Sequence, residues 1–324
     1  YDYLVVATGS THTYFGHEPW SQFAPGLKTI ADATLIRHHI LSAFELAELA
    51  KSQEEREALM TLVIIGGGPT GVEMAGAISE LAKVSLKNDF RQIDPSKTKV
   101  ILIESGPRLL ASFPENLAER ALQNLQELGV VVKTGHPVTD CTDQGVMVGD
   151  EWIPARTLIW AAGVKASPAG EWLHAPMNRA GRVLVNDNLS LPEHPEIFVI
   201  GDTAVIKNSD GRVVPALAPA AVQEGRFVAT QIKRSLAGQK NTTPFTYKNY
   251  GSMATIGRGK AIADLNSFTL SGFLAWWVWG IIHLMPLIGF RNRFIVACDW
   301  LWSYFTFERG VRLITVSKDF QGEL

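Results

Sequence analysis

The residues best suited to chemistry lie in a glycine-rich turn that follows an apolar run. Residues 62–65, Leu-Val-Ile-Ile, lead directly into Gly66-Gly67-Gly68-Pro69-Thr70-Gly71, and helix-like patterning follows. The run predicts a buried parallel strand, and the glycines predict a GxGxxG turn before a helix. In such a turn Gly66 permits the sharp bend, Gly68 lets a pyrophosphate approach the backbone, and Gly71 lets the helix pack on the strand. The free N–H groups at the helix N-terminus then favour phosphate binding.

A carboxylate at the end of the next apolar strand completes a dinucleotide-binding pattern. Residues 99–104 end in Glu104, which can accept hydrogen bonds from both ribose hydroxyls and repels a 2′-phosphate. The pattern therefore predicts a preference for NADH over NADPH. Glu104 lies 38 positions after Gly66 (104 − 66) instead of the usual 20 or so, and a long helix with a polar loop over 87–97 fills the difference. The alternative is a surface glutamate after an ordinary strand.

Composition and charge narrow the possible functions. The chain has 324 residues, enough for two or three domains, and its net charge of −2 gives no basic field for nucleic acid. Only Cys141 and Cys298 occur, without a CxxC pair, which weighs against a disulfide framework and a redox-active dithiol. No metal-ligand cluster is apparent, so no metal is expected. The chain opens in mid-strand without Met, and we therefore expect an upstream segment to be missing.

Strands and helices alternate along the middle of the chain. Strands are predicted at residues 62–65, 100–104, 130–133 and 157–161, and helices at 32–57 and 114–128. This alternation predicts an α/β fold with a parallel sheet and helices on both faces. Beyond residue 182 the pattern predicts strands of a different sheet, followed by a helix that ends near Leu236. A short pair of antiparallel strands is predicted over 250–263.

The C-terminal part of the chain is apolar and rich in tryptophan. Five of the nine tryptophans fall between Trp276 and Trp302, and two arginines follow the apolar run 273–290. A histidine, a proline and a glycine interrupt that run, whereas a membrane span needs about 20 continuous apolar residues. Tryptophan and arginine at this density are typical of the membrane interface. We therefore expect a monotopic helical anchor in one leaflet, with a buried dimer helix and a single tilted span as alternatives.

Three short segments indicate a second nucleotide-binding domain. They are residues 5–10 (VVATGS), 160–163 (WAAG) and 197–204 (IFVIGDTA). A carboxylate such as Asp202, at a strand end before a helix, can bind a ribityl hydroxyl while nearby amides face the phosphates. In this order the three segments resemble those of the two-dinucleotide flavoprotein reductases, although Gly201-Asp202 alone also fits an ordinary strand-to-helix turn.

The C-terminal residues, from about 250 onward, resemble one particular family among these reductases. Residues 250–258 (YGSMATIGR), 272–279 (GFLAWWVW) and 283–293 (HLMPLIGFRNR) closely resemble the type II NADH dehydrogenases, the non-pumping NADH:quinone oxidoreductases. The resemblance covers essentially the whole chain. It implies FAD and NADH as cofactors, a membrane quinone as electron acceptor, a homodimer, no nucleic-acid partner, and a peripheral (monotopic) position on the cytoplasmic face of the cell membrane.

The resemblance also implies a domain organisation. The fold class is α/β, with two Rossmann-like dinucleotide-binding domains and a C-terminal helical membrane-anchoring segment. Residues 1–57 and 183–249 form the FAD-binding domain, 58–182 the NADH-binding domain, and 250–324 the membrane-associated domain. The FAD domain is expected to be incomplete, because the first GxGxxG unit of the family lies upstream of Tyr1.

Matching positions assign cofactor contacts to eleven residues. The NADH-binding positions are Gly66, Gly68, Gly71 and Glu104. The strand end beneath the nicotinamide is formed by Ala162 and Gly163. The positions beside FAD are Thr8, Gly9, Gly201, Asp202 and Ala218.

Two further residues match positions close to the chemistry. Glu73 matches a glutamate at the nicotinamide–flavin junction, where it can tune charge or relay a proton. The alternative is a carboxylate that the helix dipole favours, and one residue can serve both purposes. Gln223 ends the segment that begins at Ala218 and forms part of the quinone pocket beside the flavin. The family often has Gln where this chain has Pro219, and proline has no side chain that can bond to the quinone. Of these two positions, Gln223 is then the one that can form a hydrogen bond to the quinone.

The reaction implied is hydride transfer from NADH to the flavin and delivery of two electrons to the quinone, without proton pumping. A sulfide:quinone oxidoreductase is an alternative, but it needs a cysteine pair beside the flavin, and Cys141 and Cys298 lie in the wrong segments. A ferredoxin reductase-type protein leaves the tail unexplained. A non-catalytic NADH-binding membrane fragment is the third alternative.

Overall fold

The computed structural model describes residues 1–208, 211–239 and 243–306. Within them the strands are β1 (Leu4–Val6), β2 (Ser10–His12), β3 (Thr61–Ile65), β4 (Lys99–Glu104), β5 (Val130–Thr134), β6 (Val138–Thr142), β7 (Gly145–Val148), β8 (Glu151–Pro154), β9 (Thr157–Trp160), β10 (Val164–Ala166), β11 (Val183–Leu184), β12 (Ile197–Val199), β13 (Ala204–Val205), β14 (Ser252–Gly257), β15 (Lys260–Asp264) and β16 (Thr269–Ser271). The four strands predicted between residues 62 and 161 are confirmed as β3, β4, β5 and β9.

The helices of the described residues are α1 (Ile30–Leu49), α2 (Gln53–Leu59), α3 (Pro69–Glu80), α4 (Glu115–Glu127), α5 (Ala169–Trp172), α6 (Ala218–Leu236), α7 (Gly272–Leu284) and α8 (Phe290–Thr306). The single helical stretch predicted over 32–57 is wrong, because the chain forms two helices there. Ala50 has extended backbone after α1, and the Ser52 side chain accepts the Glu55 N–H to begin α2.

The chain divides into two compact units. The first contains residues 1–13 and 163–250, and the second contains residues 14–162 and the chain from Gly251 onward. The domain boundaries expected from the sequence stay a prediction. Positions 209–210, 240–242 and 307–324 of the predicted domains lie outside the described residues.

A parallel sheet in the order β5-β4-β3-β9 forms the centre of the second unit. Alternate residues of β3 face opposite sides, so Leu62 and Ile64 pack among α1, α3 and α4, while Val63 and Ile65 face away from them. The expectation of helices on both faces is wrong here. The antiparallel sheet β6-β7-β8 covers the second face, because its apolar side chains pack against those of β3, β4 and β9.

A second antiparallel sheet, β14-β15-β16, packs on α3 and α7 within the same unit. The predicted pair is thus confirmed and extended by a third strand. The approach to α3 is unusually close at Gly76, where a Cβ would lie 1.7 Å from the carbonyl oxygen of Ile256. Only glycine fits at that position, because the obstacle is backbone.

The tail forms two helices, α7 and α8, around a turn in which Gly289 has a φ of +83°. Large apolar side chains are exposed on both helices and on this turn, including Trp277, Ile288 and Phe290. In the part of the chain that the structure describes, no helix combines the length and apolarity that crossing a membrane requires.

The described residues of the first unit form three two-stranded sheets, the short helix α5 and the long helix α6. Parallel pairs join β1 to β12 and β11 to β13, and β2 runs antiparallel to β10. Side chains such as Phe198, Val228 and Tyr247 form its hydrophobic core. These pairs bring the residues just after β1 next to those just after β12, which is where the predicted FAD contacts lie.

Candidate functional site

The glycine-rich turn between β3 and α3 has two positions where only glycine fits. Gly66 has a φ of +116°, and a Cβ there would lie 2.6 Å from the backbone of Ala161. A Cβ at Gly71 would lie 1.8 Å from the carbonyl oxygen of Gly66 and 3.3 Å from Leu102. The geometry therefore matches the sharp bend and the close packing of helix on strand expected from the sequence.

Gly68 differs from Gly66 and Gly71 because neither its backbone conformation nor a neighbouring atom of the second unit excludes a side chain there. Its φ is −73°, and no atom lies within 4 Å of the position of a Cβ. No side chain caps α3, whose first helical residue is Pro69. Because Pro69 has no N–H and the Val72 N–H donates to the Gly68 carbonyl at 3.0 Å, the N–H groups of this turn that could bind a pyrophosphate are those of Thr70 and Gly71. The residues present thus fit the phosphate end of NADH.

Glu104 is bonded into this turn. Its Oε2 accepts the N–H of Gly67 at 2.6 Å, and its Oε1 accepts the N–H of Gly106 at 2.6 Å. The bond to Gly67 links the end of β4 to the glycine-rich turn, whereas the bond to Gly106 is local. The Ser105 hydroxyl also donates to Oε1 at 3.3 Å. A carboxylate offers about four lone-pair sites, so limited acceptor capacity remains for ribose hydroxyls. The role of Glu104 as the ribose ligand stays a prediction.

Ala162 and Gly163 follow β9, beside the glycine turn. The N–H of Ala161 donates to the carbonyl of Ile65 at 2.7 Å, which keeps this strand end aligned with the end of β3. Gly163 has a φ of +129° and begins the return of the chain to the first unit. The predicted position of both residues beneath a nicotinamide is not tested by these contacts.

Glu73 lies on α3 and is half-buried. Its Oε1 accepts the backbone N–H of Thr255 at 3.1 Å and the hydroxyl of the same residue at 3.4 Å. Burial raises the pKa of Glu73, and the hydrogen bonds from Thr255 and the charge of His283 oppose that rise. The carboxyl group is therefore suited to hold a proton close to apolar surroundings.

An apolar cavity of about 590 Å³ lies between α3, β14, α7 and α8 in the second unit. Its walls carry several aromatic rings, and the rings of Trp279 and Trp300 stack with centroids 5.6 Å apart. Glu73, Glu80 and Arg258 supply its main charged groups. A cavity of this size, mostly apolar with few polar groups, suits a small flat organic ligand.

The predicted FAD contacts of the first unit lie together. The hydroxyl of Ser10 donates to Oδ2 of Asp202 at 2.6 Å, and the hydroxyl of Thr203 donates to the carbonyl of Gly9 at 3.0 Å. Thr8 and Ser167 share a hydrogen bond of 2.5 Å between their hydroxyls. Gly9 and Gly201 both have positive φ, +69° and +72°. The structure thus brings Thr8, Gly9, Gly201 and Asp202 into one polar cluster.

Sequence reasoning missed Glu224, which supports this cluster from α6. Its side chain is only 2% exposed, and Oε2 accepts the N–H of Gly201 at 2.6 Å. Burial raises the pKa of Glu224, while this hydrogen bond and the charge of Arg182 oppose the rise. The sequence offered only a glutamate in an amphipathic helix, which gives no sign of burial.

Arg182 is the cation beside Asp202 and Glu224, whose charges both act on it. Its Nε is buried and has no hydrogen-bond partner among the described residues. A buried donor without a partner is costly, and an anionic group nearby would satisfy it. The first unit therefore fits the phosphate and ribityl groups of FAD.

Ala218 and Gln223 both lie on α6. Ala218 is the first residue of the helix and is exposed. The amide of Gln223 is engaged at both ends, because its Nε2 donates to the carbonyl of Lys248 and its Oε1 accepts the N–H of Lys248, each at 3.0 Å. A hydrogen bond from Gln223 to a quinone would have to share or replace one of these bonds.

The two cysteines lie in different surroundings. Burial raises the pKa of Cys141 in β6 to about 12, so this thiol is unreactive, whereas Cys298 is exposed on α8. A sulfide-oxidising site needs two reactive thiols, and Cys141 does not supply one. Among the described residues, no group of three or more His, Cys, Asp or Glu side chains could hold a metal ion.

Comparison with known proteins shows which family these features belong to. Residues 1–225 match the family described as pyridine nucleotide-disulphide oxidoreductase, and residues 249–309 match the NDH2 C-terminal domain. The type II NADH:quinone oxidoreductase Ndh of Mycobacterium tuberculosis is 41% identical over 99% of this chain and 70% of that protein. The chain belongs to the type II NADH:quinone oxidoreductase family. The resemblance of the tail to this family is thereby confirmed.

Other members of the type II family agree with this assignment. The mitochondrial internal alternative NAD(P)H-ubiquinone oxidoreductase A1 of Arabidopsis thaliana is 32% identical over 97% of this chain and 64% of that protein. The solved structure of NDH2 from Plasmodium falciparum in complex with NADH has a TM-score of 0.87 at 21% identity. The match covers 98% of this chain and 79% of that one. That likeness confirms the α/β fold.

Proposed function

We propose that this protein is an FAD-dependent NADH:quinone oxidoreductase that passes two electrons from NADH to a membrane quinone without pumping protons. The observation that carries the proposal is the uncapped N-terminus of α3 at Gly68, with the Glu104 carboxylate fixed to the same turn. It is supported by the relative in Mycobacterium tuberculosis, whose name states this activity, and by the NDH2 of Plasmodium falciparum, which was solved with NADH.

The NADH-binding role belongs to the second unit. The open N–H groups of the first turn of α3 bind the pyrophosphate, and Gly68 leaves room for it. Glu104 accepts the ribose hydroxyls with its remaining lone pairs and repels a 2′-phosphate. Ala162 and Gly163 follow the neighbouring strand end and would underlie the nicotinamide.

The FAD-binding role belongs to the first unit. Asp202 would bind the ribityl chain, with Thr8, Gly9 and Gly201 at the same cluster, and Arg182 would face the phosphates. When bound, FAD supplies the two-electron carrier between a hydride donor and a quinone. The side chains of this unit contribute position and charge, and no nucleophile is required of them.

Protons are the second requirement of quinone reduction, since a quinol carries two more than a quinone. The hydride of NADH would bring one of these together with the electron pair, and Glu73 would supply the other through a carboxyl group that burial keeps protonated more readily than usual. Thr255 occupies Oε1, so the proton would sit on Oε2. Gln223 remains a candidate hydrogen-bond donor to the quinone, with Ala218 at the start of the same helix.

The quinone itself would enter the apolar cavity of the second unit. The stacked rings of Trp279 and Trp300 offer flat faces to a quinone ring, and the apolar walls suit an isoprenoid tail. The exposed apolar side chains of α7 and α8 would lie in the lipid interface. We propose further, from the family resemblance, that the protein is a peripheral, monotopic homodimer on the cytoplasmic face of the cell membrane.

Steady-state kinetics test the proposal. Purified protein loaded with FAD should oxidise NADH in the presence of a soluble 1,4-benzoquinone analogue, with a much lower rate for NADPH. A protein that binds NADH but transfers nothing to any quinone analogue would be the non-catalytic alternative.

A further inference from the structure

Arg258 lies where β14 ends and the hairpin to β15 begins. Its backbone N–H donates to Oε1 of Glu80 at 2.7 Å, which ties the hairpin to α3. A Cβ at the preceding residue, Gly257, would lie 2.8 Å from the same Glu80 oxygen. The backbone of Arg258 is therefore held in place by Glu80 of α3.

The guanidinium of Arg258 reaches across to α8. It donates to the backbone carbonyl of Ser303 at 3.2 Å and to that of Tyr304, and its centre lies 5.3 Å from the centroid of the Tyr304 ring. Hydrogen bonds from an ionised donor to carbonyl oxygens are shorter and stronger than those between neutral groups. The planar fork of arginine can serve two adjacent carbonyls, which a lysine cannot do as well.

These contacts set one wall of the apolar cavity. Ser303 and Tyr304 line the cavity together with Arg258 itself, and the Tyr304 ring lies 5.1 Å from that of Trp276 on α7. The carbonyls that Arg258 holds are thus those of the residues that face the cavity. Moving this turn of α8 by an ångström would change the space available to a flat ligand.

We infer that Arg258 is a positioning residue for the quinone. It holds the last described turn of α8 against the β14–β15 hairpin and so keeps the cavity at the width that the quinone ring requires. This inference rests on the proposed function, because it takes the quinone as the occupant of the cavity. Arg258 acts through the backbone of α8 and not on the reacting atoms.

The hairpin provides a matched control. Lys260, two residues further along, bonds to Glu127 on α4 and does not line the cavity. Lys260→Ala therefore removes a cation and an ion pair from the same hairpin without releasing α8. Arg258→Lys keeps the charge but replaces the planar fork with a single donor group.

The test uses the intact protein loaded with FAD, and a decyl-substituted 1,4-benzoquinone as the probe. Arg258→Ala should raise KM for this quinone about tenfold, because part of the binding free energy must then restore the position of α8. The kcat at saturating quinone should change less than about twofold. Arg258→Lys should be intermediate, and Lys260→Ala should leave KM unchanged. Quenching of tryptophan fluorescence by the quinone, without NADH, should give the same order of affinities.

Three results would overturn the inference: a KM for Arg258→Ala equal to that of the unsubstituted protein, an equal rise in Lys260→Ala, or a fall in kcat with constant KM. If Arg258→Ala does not fold, Arg258→Lys decides by the same criteria. Failure of the proposed function looks different, because the unsubstituted protein would then neither reduce the quinone nor show quenching by it.

Discussion

Glu73 and Thr255 are 182 positions apart in the sequence, yet the Glu73 carboxylate accepts a hydrogen bond of 3.1 Å from the Thr255 backbone. Gly76, three residues further along α3, makes this contact possible because its missing side chain lets β14 lie against the helix. Helix α3 and the β14–β15 hairpin are therefore parts of one packed structure. Glu73 faces the apolar cavity for the same reason.

Gly76→Ala should destabilise the second unit by about 2 to 3 kcal/mol, because the added methyl group meets the Ile256 carbonyl and backbone must move. Urea unfolding followed by circular dichroism measures this loss. An alanine variant as stable as the unsubstituted protein would contradict the close approach of α3 and β14.

Gly68→Ala is the complementary substitution, since a Cβ at Gly68 meets nothing within 4 Å. We expect no loss of stability but roughly tenfold weaker NADH binding, about 1.4 kcal/mol, because the methyl group fills the space that the pyrophosphate needs. Titration of nicotinamide fluorescence gives the affinity. Unchanged NADH affinity would mean that the dinucleotide does not pass this turn.

The glycine positions also show how far sequence reasoning reaches. Gly66 and Gly71 were predictable because their spacing after an apolar strand is local, and Glu104 because it ends the next strand. Thr255 and Arg258 were not, since their partners lie far away in the chain. The β6-β7-β8 sheet was missed although Gly145 and Gly149, both with positive φ, mark its turns. Local patterns predict elements, whereas contacts between distant segments need the fold.

Glu104→Arg should weaken NADH binding and relax the discrimination against NADPH, because it replaces a carboxylate with a cation that can bind the 2′-phosphate. Part of the loss will come from the turn, since Gly67 and Gly106 lose their acceptor. Glu104→Gln separates the effects, because it keeps one acceptor oxygen without the negative charge. Dissociation constants for both nucleotides measure the preference, and an unchanged ratio in the arginine variant would exclude Glu104 as the ribose ligand.

Glu73 should make the stability of the protein depend on pH. Because burial raises its pKa, the folded chain holds the proton more tightly than the unfolded chain does. The resulting stabilisation is fully present below the unfolded pKa and is lost as pH rises through the higher folded pKa. The free energy of unfolding, relative to that of Glu73→Gln, should therefore fall as pH rises from the unfolded pKa of glutamate, about 4.3, through the higher folded pKa.

Glu127 provides a control of opposite sign, because its bond to Lys260 lowers its pKa. Its stabilisation is present above the unfolded pKa and is lost on acidification. Relative to Glu127→Gln, stability should thus rise with pH over the acidic range. Urea unfolding at several pH values gives both free-energy differences. If the two differences changed with pH in the same direction, the assignment of a raised pKa to Glu73 would be contradicted.

The rate at which the two cysteines are labelled can reveal contact of α8 with a membrane. Cys298 on α8 is exposed and should react with iodoacetamide in the absence of lipid, whereas Cys141 should not, since burial raises its pKa to about 12. Anionic lipid vesicles should slow labelling of Cys298, because α8 would then lie in the interface. Mass spectrometry of both peptides measures the rates. Equal labelling of Cys298 with and without vesicles would argue against docking through this helix.

We propose that a dinucleotide bound at the Gly66–Gly71 turn delivers electrons to a flavin that a quinone reoxidises. Stopped-flow mixing of the FAD-loaded protein with NADH measures this transfer directly. We expect rapid loss of the visible flavin absorbance, and its return when the soluble benzoquinone analogue is added. A flavin spectrum that stays unchanged under excess NADH would contradict it.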